Sequence, residues 1–444
     1  MKIHTIGGYS EVGKNMTALQ LGEDVILFDS GLYLPPIVEL EEKEKFYREK
    51  KLREIDALPN DLILDKRGLR NKVRAILISH AHLDHVGALP YLASRYDADI
   101  AASPFTIEVL RSLLHDNKIR LKNNIYTINP NSSFTVKGEK SYTAEFINIT
   151  HSTLQTCLIV LHTNEGNVVY ANDFKFDNHP TLGKKPNYER LREIAKQGVK
   201  VLIMESLYAA EEGKTPSERI ARDLLEDVLF TTDNKNACII ITTFSSHIAR
   251  LKSIVDFAKK LNRKIIFIGR SLRKYVSCAA KLKLAPFAKD IVLASYKNEV
   301  ESWLRKVEKN HDKYLLVVTG HQGEPGSVLD RLARGTLPFS FSSSDHVIFS
   351  SRTIPAPINI ANKKQLEKRL KEKGVRIFSD VHISGHAHRE DLRDLITMLQ
   401  PEHIIPSHGD MQKLTALAEL AGELGYKLGK NCHIVQDGHC LQIT

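Results

Sequence analysis

Four side chains able to bind a metal ion lie within six residues, directly after a short apolar run. The run Ala75–Ser79 predicts a buried strand, and His80, His82, Asp84 and His85 follow it before a segment that looks like a helix start. Four such groups on one strand-to-helix turn cannot all lie in a hydrophobic core without polar partners. Metal coordination is the common arrangement that satisfies them together, so the segment predicts a metal site at the end of a strand.

Short runs rich in Val and Ile alternate with helical patterns along the whole chain, which predicts an α/β fold. Most of the distinctive polar residues follow the carboxyl ends of these runs, where open α/β sheets place their sites. The remaining predicted strands are Val25–Phe28, Phe146–Ile149, Val168–Ala171, Val201–Met204, Cys238–Thr242, Lys264–Ile268, Tyr314–Thr319, Val347–Ser350 and Ile404–Ile405.

Imidazole nitrogens and carboxylate oxygens are ligands that suit zinc, and two ions need more ligands than one turn supplies. In the turn itself, His80 and His82 would hold one ion, and Asp84 and His85 the other. A lone His at a strand end is more often a hydrogen-bonded surface or core residue. Further candidate ligands at strand ends are Asp29, His151, Asp173 and His408. Together with the turn, these residues in this order favour a metal centre.

The His-x-His-x-Asp-His pattern, with these later positions, resembles the metallo-β-lactamase superfamily, whose fold is a four-layer αββα sandwich. The resemblance implies that one zinc ion is bound by His80, His82 and His151, and the other by Asp84, His85 and His408. Asp173 would bridge the two ions, and Asp29 would orient the ligand turn through hydrogen bonds. Two Zn²⁺ per subunit are therefore expected as cofactors, with Mn²⁺ or Mg²⁺ as alternatives.

The chain has 444 residues, and small-molecule members of this superfamily are roughly half as long, so about 150 to 200 residues must form an insertion. Further segments resemble the β-CASP nucleases of the superfamily and, among them, the archaeal members of the ribonuclease J family. These segments are Asp173–Asp177, Glu205, Thr242–Ser246, Gly269–Ser271, Thr319–Pro325 and Ser384–His388. We therefore expect a metallo-β-lactamase domain over residues 1–206, an inserted α/β β-CASP domain over 207–360, and the C-terminal part of the first domain over 361–444.

The resemblance implies a processive 5′ to 3′ exoribonuclease that prefers single-stranded RNA with a 5′-monophosphate and hydrolyses phosphodiesters with hydroxide activated by two metals. The 63 Lys and Arg residues exceed the 53 Asp and Glu residues, which favours a polyanionic partner. Small and hydroxyl residues after strands are, taken singly, ordinary turn chemistry. The functional interpretation is that RNA phosphates contact Ser245, Ser246, Arg270, Ser271, Gly323, Ser384, His386 and His388.

Cleavage also needs an acid that protonates the leaving 3′-oxygen. His386 paired with Glu205 is the candidate, because a carboxylate partner raises the pKa of an imidazole and keeps it protonated near neutrality. His388 is the alternative acid. With the metal-binding carboxylates Asp84 and Asp173, these residues form the predicted catalytic group.

Other functions are consistent with parts of the pattern. An endoribonuclease similar to the nuclease of the cleavage and polyadenylation specificity factor would share the site, but archaeal proteins of that kind usually carry KH domains before the core, and here the first predicted strand begins at residue 2. A catalytically inactive RNA-binding paralogue would have lost ligands. A glyoxalase-like thioester hydrolase would leave the insertion unexplained.

No stretch approaches the roughly 18 consecutive apolar residues of a membrane span, and the N-terminus lacks the apolar core of a signal peptide. Five scattered cysteines indicate buried thiols in a reducing compartment. We therefore expect a cytoplasmic protein without a membrane partner, and a homodimer because family members commonly form dimers. The charged run Glu39–Lys51 is predicted to be solvated, and Thr215–Glu218 is predicted to be a capping box with Pro216 at the first position of a helix.

Overall fold

The Val- and Ile-rich runs form the strands of three β-sheets. Each strand predicted from the sequence overlaps a strand of the structure, because β-branched side chains fit the pleated, buried surface of a sheet. The strands are β1 (Lys2–Gly7), β2 (Met16–Leu21), β3 (Asp24–Phe28), β4 (Val73–Ile78), β5 (Asp99–Ala102), β6 (Ile125–Thr127), β7 (Ser132–Lys137), β8 (Ser141–Asn148), β9 (Cys157–Thr163), β10 (Gly166–Ala171), β11 (Val199–Glu205), β12 (Ile239–Thr242), β13 (Lys264–Ile268), β14 (Ile291–Ala294), β15 (Tyr314–Val318), β16 (His346–Phe349), β17 (Arg376–Phe378), β18 (His403–Ser407) and β19 (Cys440–Gln442).

The helices lie between groups of these strands along the chain. They are α1 (Pro35–Glu39), α2 (Glu49–Glu54), α3 (Leu62–Lys66), α4 (Leu83–Val86), α5 (Leu89–Leu92), α6 (Pro104–Asn117), α7 (Tyr188–Gln197), α8 (Glu218–Thr231), α9 (Ile248–Lys260), α10 (Arg270–Lys281), α11 (Lys297–Glu308), α12 (Val328–Ala333), α13 (Pro357–Glu372), α14 (Arg389–Leu399) and α15 (Met411–Glu423), with short 3₁₀ turns at Arg70–Lys72, Ala93–Arg95 and His311–Lys313. Within the described ranges, no helix is both long enough and apolar enough to cross a membrane.

The computed structural model describes residues 1–40, 47–354 and 356–444, so the middle of the predicted solvated run, residues 41–46, lies outside the described residues. The chain divides into two compact units. The first comprises Met1–Asn178, Lys184–Thr215 and Gly385–Thr444, and the second comprises His179–Gly183 and Pro216–Ser384. The domain edges expected after residues 206 and 360 stay a prediction; the second of them falls within α13.

The first unit is a four-layer αββα sandwich built on two sheets. The strand order is β19-β1-β2-β3-β4-β5-β6 in the first sheet and β18-β11-β10-β9-β8-β7 in the second. Buried side chains of both sheets share one core, in which the rings of Phe28 and Tyr170 stack 5.1 Å apart. Helices α7, α14 and α15 pack on the second sheet from outside this core, and α6 contacts β5 of the first sheet. The predicted fold class is confirmed.

Strand direction in the first unit brings several carboxyl ends to one edge of each sheet. In the first sheet β3, β4 and β5 run parallel. In the second sheet β10, β11 and β18 run parallel, and β8 runs in the same direction because β8 and β10 are both antiparallel to β9. The fold therefore places the residues that follow these strands at the same edge of each sheet.

The second unit contains a parallel sheet with the order β14-β13-β15-β12-β16-β17. The predicted apolar stripe of α9, which includes Ile248, Leu251, Val255 and Ala258, is fully buried. This unit is the α/β insertion that the sequence predicted between the two parts of the sandwich.

The predicted capping box at the start of α8 is wrong. The helix begins at Glu218, and its N-cap is Ser217, whose side chain accepts a hydrogen bond from the Arg219 backbone N–H. The Thr215 hydroxyl is engaged elsewhere, because it donates to the His386 carbonyl oxygen at 2.6 Å and accepts from the His388 N–H at 2.9 Å. A side chain held by these two bonds is not available to cap the helix.

Candidate metal centre

The turn between β4 and α4 carries the clustered ligand candidates. His82 is the N-cap of α4, and this short helix includes Asp84 and the buried His85. Gly31, which follows β3, permits the turn to lie against the neighbouring strand end, because a Cβ at Gly31 would stand 1.6 Å from the Asp84 carbonyl oxygen. The local backbone therefore holds Asp84 and His85 close to the residues that follow β3.

The structure brings His80, His82 and His151 together with Asp173 in one group, whose ligand atoms all lie within 4.8 Å of one another. The His82 Nδ1 atom is 3.1 Å from His80 Nε2 and 3.0 Å from His151 Nε2. Asp173 Oδ2 lies 3.6 Å from His80 Nε2 and 3.8 Å from His151 Nε2. These residues come from the ends of β4, β8 and β10.

A second group contains Asp84, His85, Asp173 and His408, again with ligand atoms within 4.8 Å of one another. His85 Nε2 lies 3.2 Å from Asp173 Oδ2 and 3.7 Å from Asp84 Oδ2. His408 Nε2 lies 3.8 Å from Asp173 Oδ1. The two groups therefore share Asp173 and no other residue.

Asp173 fits the role of a carboxylate between two cations. It is 1% exposed, and its Oδ1 atom accepts no hydrogen bond from any residue that the structure describes. Burial raises the pKa of Asp173, but the imidazoles of His408, His85 and His386 outweigh this effect and hold the pKa well below its usual value. A buried, ionised carboxylate with an unpaired oxygen needs a positive partner, and a bound metal ion provides one.

Most of the histidines are oriented through Nδ1, which leaves Nε2 directed at the centre. His85 Nδ1 is 2.7 Å from Asp29 Oδ2, His151 Nδ1 is 2.6 Å from the Gly385 carbonyl oxygen, and His80 Nδ1 is 3.0 Å from the Ser79 hydroxyl. Partners of this kind fix the tautomer of metal-binding histidines. Asp29 also accepts from the Ser79 N–H at 2.8 Å, so it ties the ligand turn to the end of β3.

Burial keeps most of these imidazoles neutral, which is the form that binds a metal. It lowers the pKa of His82 and of His408 to about 4, and it lowers the pKa of His80 and His151 well below 6.5. His85 differs. Burial lowers its pKa, but the surrounding carboxylates, Asp173 first, outweigh burial and raise the pKa well above 6.5.

The predicted acid and its partner lie beside Asp173. His386 Nδ1 is 2.7 Å from Glu205 Oε2 and 3.8 Å from Asp173 Oδ2. Glu205 is fully buried, and its other oxygen accepts from the Phe174 N–H at 2.7 Å. Burial lowers the pKa of His386, but Glu205 and then Asp173 outweigh burial and raise it to about 9. His388 is the N-cap of α14 and lies 5.4 Å, ring to ring, from Tyr208.

The predicted RNA-contacting residues of the second unit follow the carboxyl ends of its parallel strands. The hydroxyls of Ser245 and Ser271 meet at 2.9 Å, whereas Ser246 is buried, and Ser384 is largely buried at 9% exposed. Gly323 has φ +76, and a Cβ there would lie 2.5 Å from the backbone of Asn362. Arg270 is the exposed first residue of α10. Their contacts with RNA stay a prediction.

Sequence reasoning missed the role of Asn15. Its side-chain amide lies 3.1 Å from His85 Nε2 and 2.8 Å from His408 Nδ1, and it donates to the Asp84 carbonyl oxygen at 3.0 Å. Asn15 therefore connects three members of the second ligand group. An Asn before a strand carries no local signal of such a role, because its partners are 69 to 393 residues away in sequence.

Three family models match the chain. The metallo-β-lactamase superfamily matches residues 10–269, the β-CASP domain of ribonuclease J matches residues 236–369, and the RNA specificity domain of Zn-dependent metallo-hydrolases matches residues 374–435. A solved structure of a protein of unknown function from Enterococcus faecalis covers 99% of both chains with a TM-score of 0.65 and 16% identity, a similarity that concerns the fold alone.

Curated relatives extend the similarity over the full length. Ribonuclease J of Methanocaldococcus jannaschii is 43% identical, covering 99% of this chain and 98% of the relative, and that of Pyrococcus abyssi is 45% identical, covering 100% and 97%. Ribonuclease J of Sinorhizobium meliloti is 30% identical over 95% of this chain and 71% of its own length. The chain therefore belongs to the ribonuclease J family, with a β-CASP domain inserted in a metallo-β-lactamase domain and candidate metal-binding groups of His and Asp.

Proposed function

We propose that the protein is a zinc-dependent, processive 5′ to 3′ exoribonuclease that prefers single-stranded RNA with a 5′-monophosphate. Family membership supports a metal-dependent ribonuclease, and the match to an RNA specificity domain supports an RNA substrate. The observation that carries the hydrolytic part is the pair of ligand groups that share Asp173. The direction and the 5′ preference rest on the resemblance to ribonuclease J.

The two groups fit two divalent cations, with His80, His82, His151 and Asp173 around one, and Asp84, His85, His408 and Asp173 around the other. Bound there, such ions would lower the pKa of water and would neutralise charge that develops on the scissile phosphate. Histidine-rich donor sets favour Zn²⁺, and Mn²⁺ or Mg²⁺ is the alternative.

His386 supplies the proton for the leaving group. Its Nδ1–H donates to Glu205, so Nε2 is the ring nitrogen that protonates the leaving 3′-oxygen. Burial lowers the pKa of His386, but the Glu205 carboxylate outweighs burial and favours the protonated ring. Glu205 holds the ring in place because the Phe174 N–H fixes its second oxygen.

In the second unit, hydroxyl groups and backbone N–H groups after the parallel strands would bind the phosphates of the RNA. The paired hydroxyls of Ser245 and Ser271, the exposed Arg270 and the left-handed turn at Gly323 support this assignment. Carboxyl ends of parallel strands and helix N-termini are common sites for anions.

The direction is tested with RNA labelled at its 5′ end that carries either a monophosphate or a triphosphate. The proposal expects labelled mononucleotide, released from the monophosphate RNA alone. Labelled oligomers of mixed length would contradict it and would indicate an endonuclease of the cleavage and polyadenylation type.

Substitutions test the roles of the residues. His82→Ala and Asp173→Ala should abolish cleavage while RNA binding persists, whereas His386→Ala should slow turnover with the metal content unchanged. The matched control is His115→Ala, since this side chain is 91% exposed on α6 and should not affect cleavage. Retained activity in Asp173→Ala would contradict the metal assignment. A catalytically inactive RNA-binding protein is disfavoured because both ligand groups are complete.

The homodimer and the cytoplasmic location remain predictions from family resemblance and composition. Light scattering coupled to size-exclusion chromatography measures the mass in solution. A mass of one chain at micromolar concentration would contradict the dimer.

A further inference from the structure

Tyr296 is the most exposed large hydrophobic side chain among the residues that the structure describes, at 68%. It follows β14, an edge strand of the parallel sheet in the second unit, and it is the N-cap of α11. A single exposed aromatic residue is common on protein surfaces. A binding role for Tyr296 therefore depends on how its ring is held and on the charges that surround it.

A cation and a carboxylate hold the Tyr296 ring in place. The Arg273 guanidinium lies over the ring, 5.2 Å from its centroid. Arg273 Nη2 donates to Glu299 Oε2 at 2.7 Å and to the Leu293 carbonyl oxygen at 2.6 Å. The same Glu299 oxygen accepts from the backbone N–H groups of Ser295 and Tyr296, at 3.1 and 3.3 Å. One carboxylate therefore fixes both the backbone of Tyr296 and the cation that lies over its ring.

The surface around this ring is basic. Because β13 and β14 are parallel neighbours, the segments that follow them, residues 269–274 and 295–301, begin side by side. Arg270 is exposed, and Lys297 is 79% exposed with its amine 4.0 Å from Glu301. Together the two segments contain the carboxylates Glu299 and Glu301 and the cations Arg270, Arg273, Lys274 and Lys297. The excess of cations, with Glu299 already engaged by Arg273, attracts an anion to this surface.

An anchored aromatic ring among exposed cations has the chemistry that binds single-stranded nucleic acid. Bases stack on aromatic side chains, and Arg and Lys side chains pair with phosphates. A duplex covers the faces of its bases with neighbouring bases, and an acidic protein surface has carboxylates without stacked planar bases. A single strand offers both phosphates and free base faces, so it matches this surface.

We propose that Tyr296 stacks on one base of single-stranded RNA and that Arg270 and Lys297 bind the phosphates next to that base. The choice of RNA as the nucleic acid rests on the proposed function. Every base has a face that can stack, so this contact requires a base without requiring a particular one.

Fluorescence anisotropy of the full-length protein in EDTA tests the proposal, because binding is then measured without metal-dependent cleavage. The probes are a fluorescein-labelled oligoadenylate and an abasic RNA oligomer of the same length, which carries the same phosphates and no bases. Tyr296→Ala should weaken binding of the oligoadenylate about tenfold, as expected for the loss of one stacked base, and should leave the abasic oligomer unaffected. Tyr296→Phe keeps the ring and should bind both probes as the unmodified protein does.

Lys297→Ala tests the phosphate contact. It should weaken both probes by the same factor, and it should reduce the slope of log affinity against log salt concentration by about 0.7, the value for one phosphate contact on a single strand. The matched control is Tyr126→Ala, which removes another exposed tyrosine, 41% exposed, from β6 in the first unit. The control should leave both affinities unchanged.

Two results would overturn the proposal. One is an unchanged affinity of Tyr296→Ala for the oligoadenylate. The other is an equal loss of affinity for both probes in Tyr296→Ala, because a loss without base dependence is not the loss of stacking. RNA cleavage is assayed separately with metal present. A base-dependent effect of Tyr296→Ala in a protein that cleaves no RNA would refute the nuclease proposal alone, and cleavage by a protein whose RNA binding ignores Tyr296→Ala would refute the stacking proposal alone.

Discussion

Replacing Gly31 with Ala should displace half of the candidate metal centre although every candidate ligand keeps its identity. The added Cβ would stand 1.6 Å from the Asp84 carbonyl oxygen and 2.2 Å from its carbonyl carbon. Gly31 is also tied to this region by its N–H, which donates to the Asn15 carbonyl oxygen at 3.0 Å. Backbone atoms form the obstacle, so no side chain can rotate away to relieve the clash.

The size of the effect follows from the distance. Carbon and oxygen atoms that are not bonded approach to roughly 3 Å or more, so the turn must move by more than about 1 Å. That movement shifts Asp84 and His85, two members of the second ligand group. Metal sites tolerate deviations of about 0.2 Å in ligand distance, and a misplacement of about 1 Å costs on the order of 100-fold in rate.

Two measurements check this expectation on purified protein. Elemental analysis should show that about half of the bound metal is lost, and the rate of RNA cleavage should fall at least about 100-fold. The matched control is Gly422→Ala, at a helical position of α15 where a Cβ meets nothing within 4 Å. The control should keep full activity, and its helix should be stabilised by about 0.5–1 kcal/mol. Full metal content and full activity in Gly31→Ala would refute the reasoning.

Three further predictions concern stability, pH and metal removal. Arg250 is fully buried and donates to both carboxylate oxygens of Glu218, at 2.6 and 2.8 Å, so Arg250→Met should lower the free energy of unfolding by about 3–5 kcal/mol in denaturant titrations. Adding Glu218→Leu should recover part of that loss, and a single-variant loss below about 1 kcal/mol would count against a buried pair. Burial raises the pKa of Glu145, but hydrogen bonds from His162 and Arg190 outweigh it and lower the pKa to about 2. A depressed carboxylate pKa stabilises the fold above its usual value of 4.5, and this stability is lost as the pH falls towards 2. In Glu145→Gln the melting temperature should therefore change less between pH 4.5 and pH 2 than in the unmodified protein. The same pH dependence in both proteins would contradict the assignment. Chelation with EDTA should abolish RNA cleavage, and Zn²⁺ or Mn²⁺ should restore it; activity that persists in metal-free protein would contradict a metal-dependent mechanism.

Much of the site could be predicted from the sequence because short local patterns mark the candidate ligands. The turn from His80 to His85 concentrates ligand types in six residues, and Asp29, His151, Asp173 and His408 each follow an apolar run. Alternating strands and helices imply a sheet in which such ends meet, so the pattern predicts the composition of the centre. The ligand roles themselves stay a prediction that metal analysis of the variants must test.

The local sequence pattern predicted the wrong contact where a side chain hydrogen-bonds residues that are distant in the sequence. Thr215 has the sequence of a helix cap, yet its hydroxyl bonds the backbone of His386 and His388. Propensity describes only what neighbours in sequence can offer, and a packed contact between remote segments overrides it. The sequence likewise contains no sign that Asp391 would be buried with one oxygen unpaired.

The sequence by itself determined which chemical groups the chain can present at strand ends, and hence the fold class and the class of site. Only the tertiary structure decided how these side chains are oriented and which of them belongs to both ligand groups. Asp173 belongs to both ligand groups, the Gly385 carbonyl oxygen contacts His151 Nδ1, and Asn15 connects His85 with His408. The physical reason is that strand pairing and burial set these distances through contacts between residues that are far apart in the chain, where no local pattern carries information.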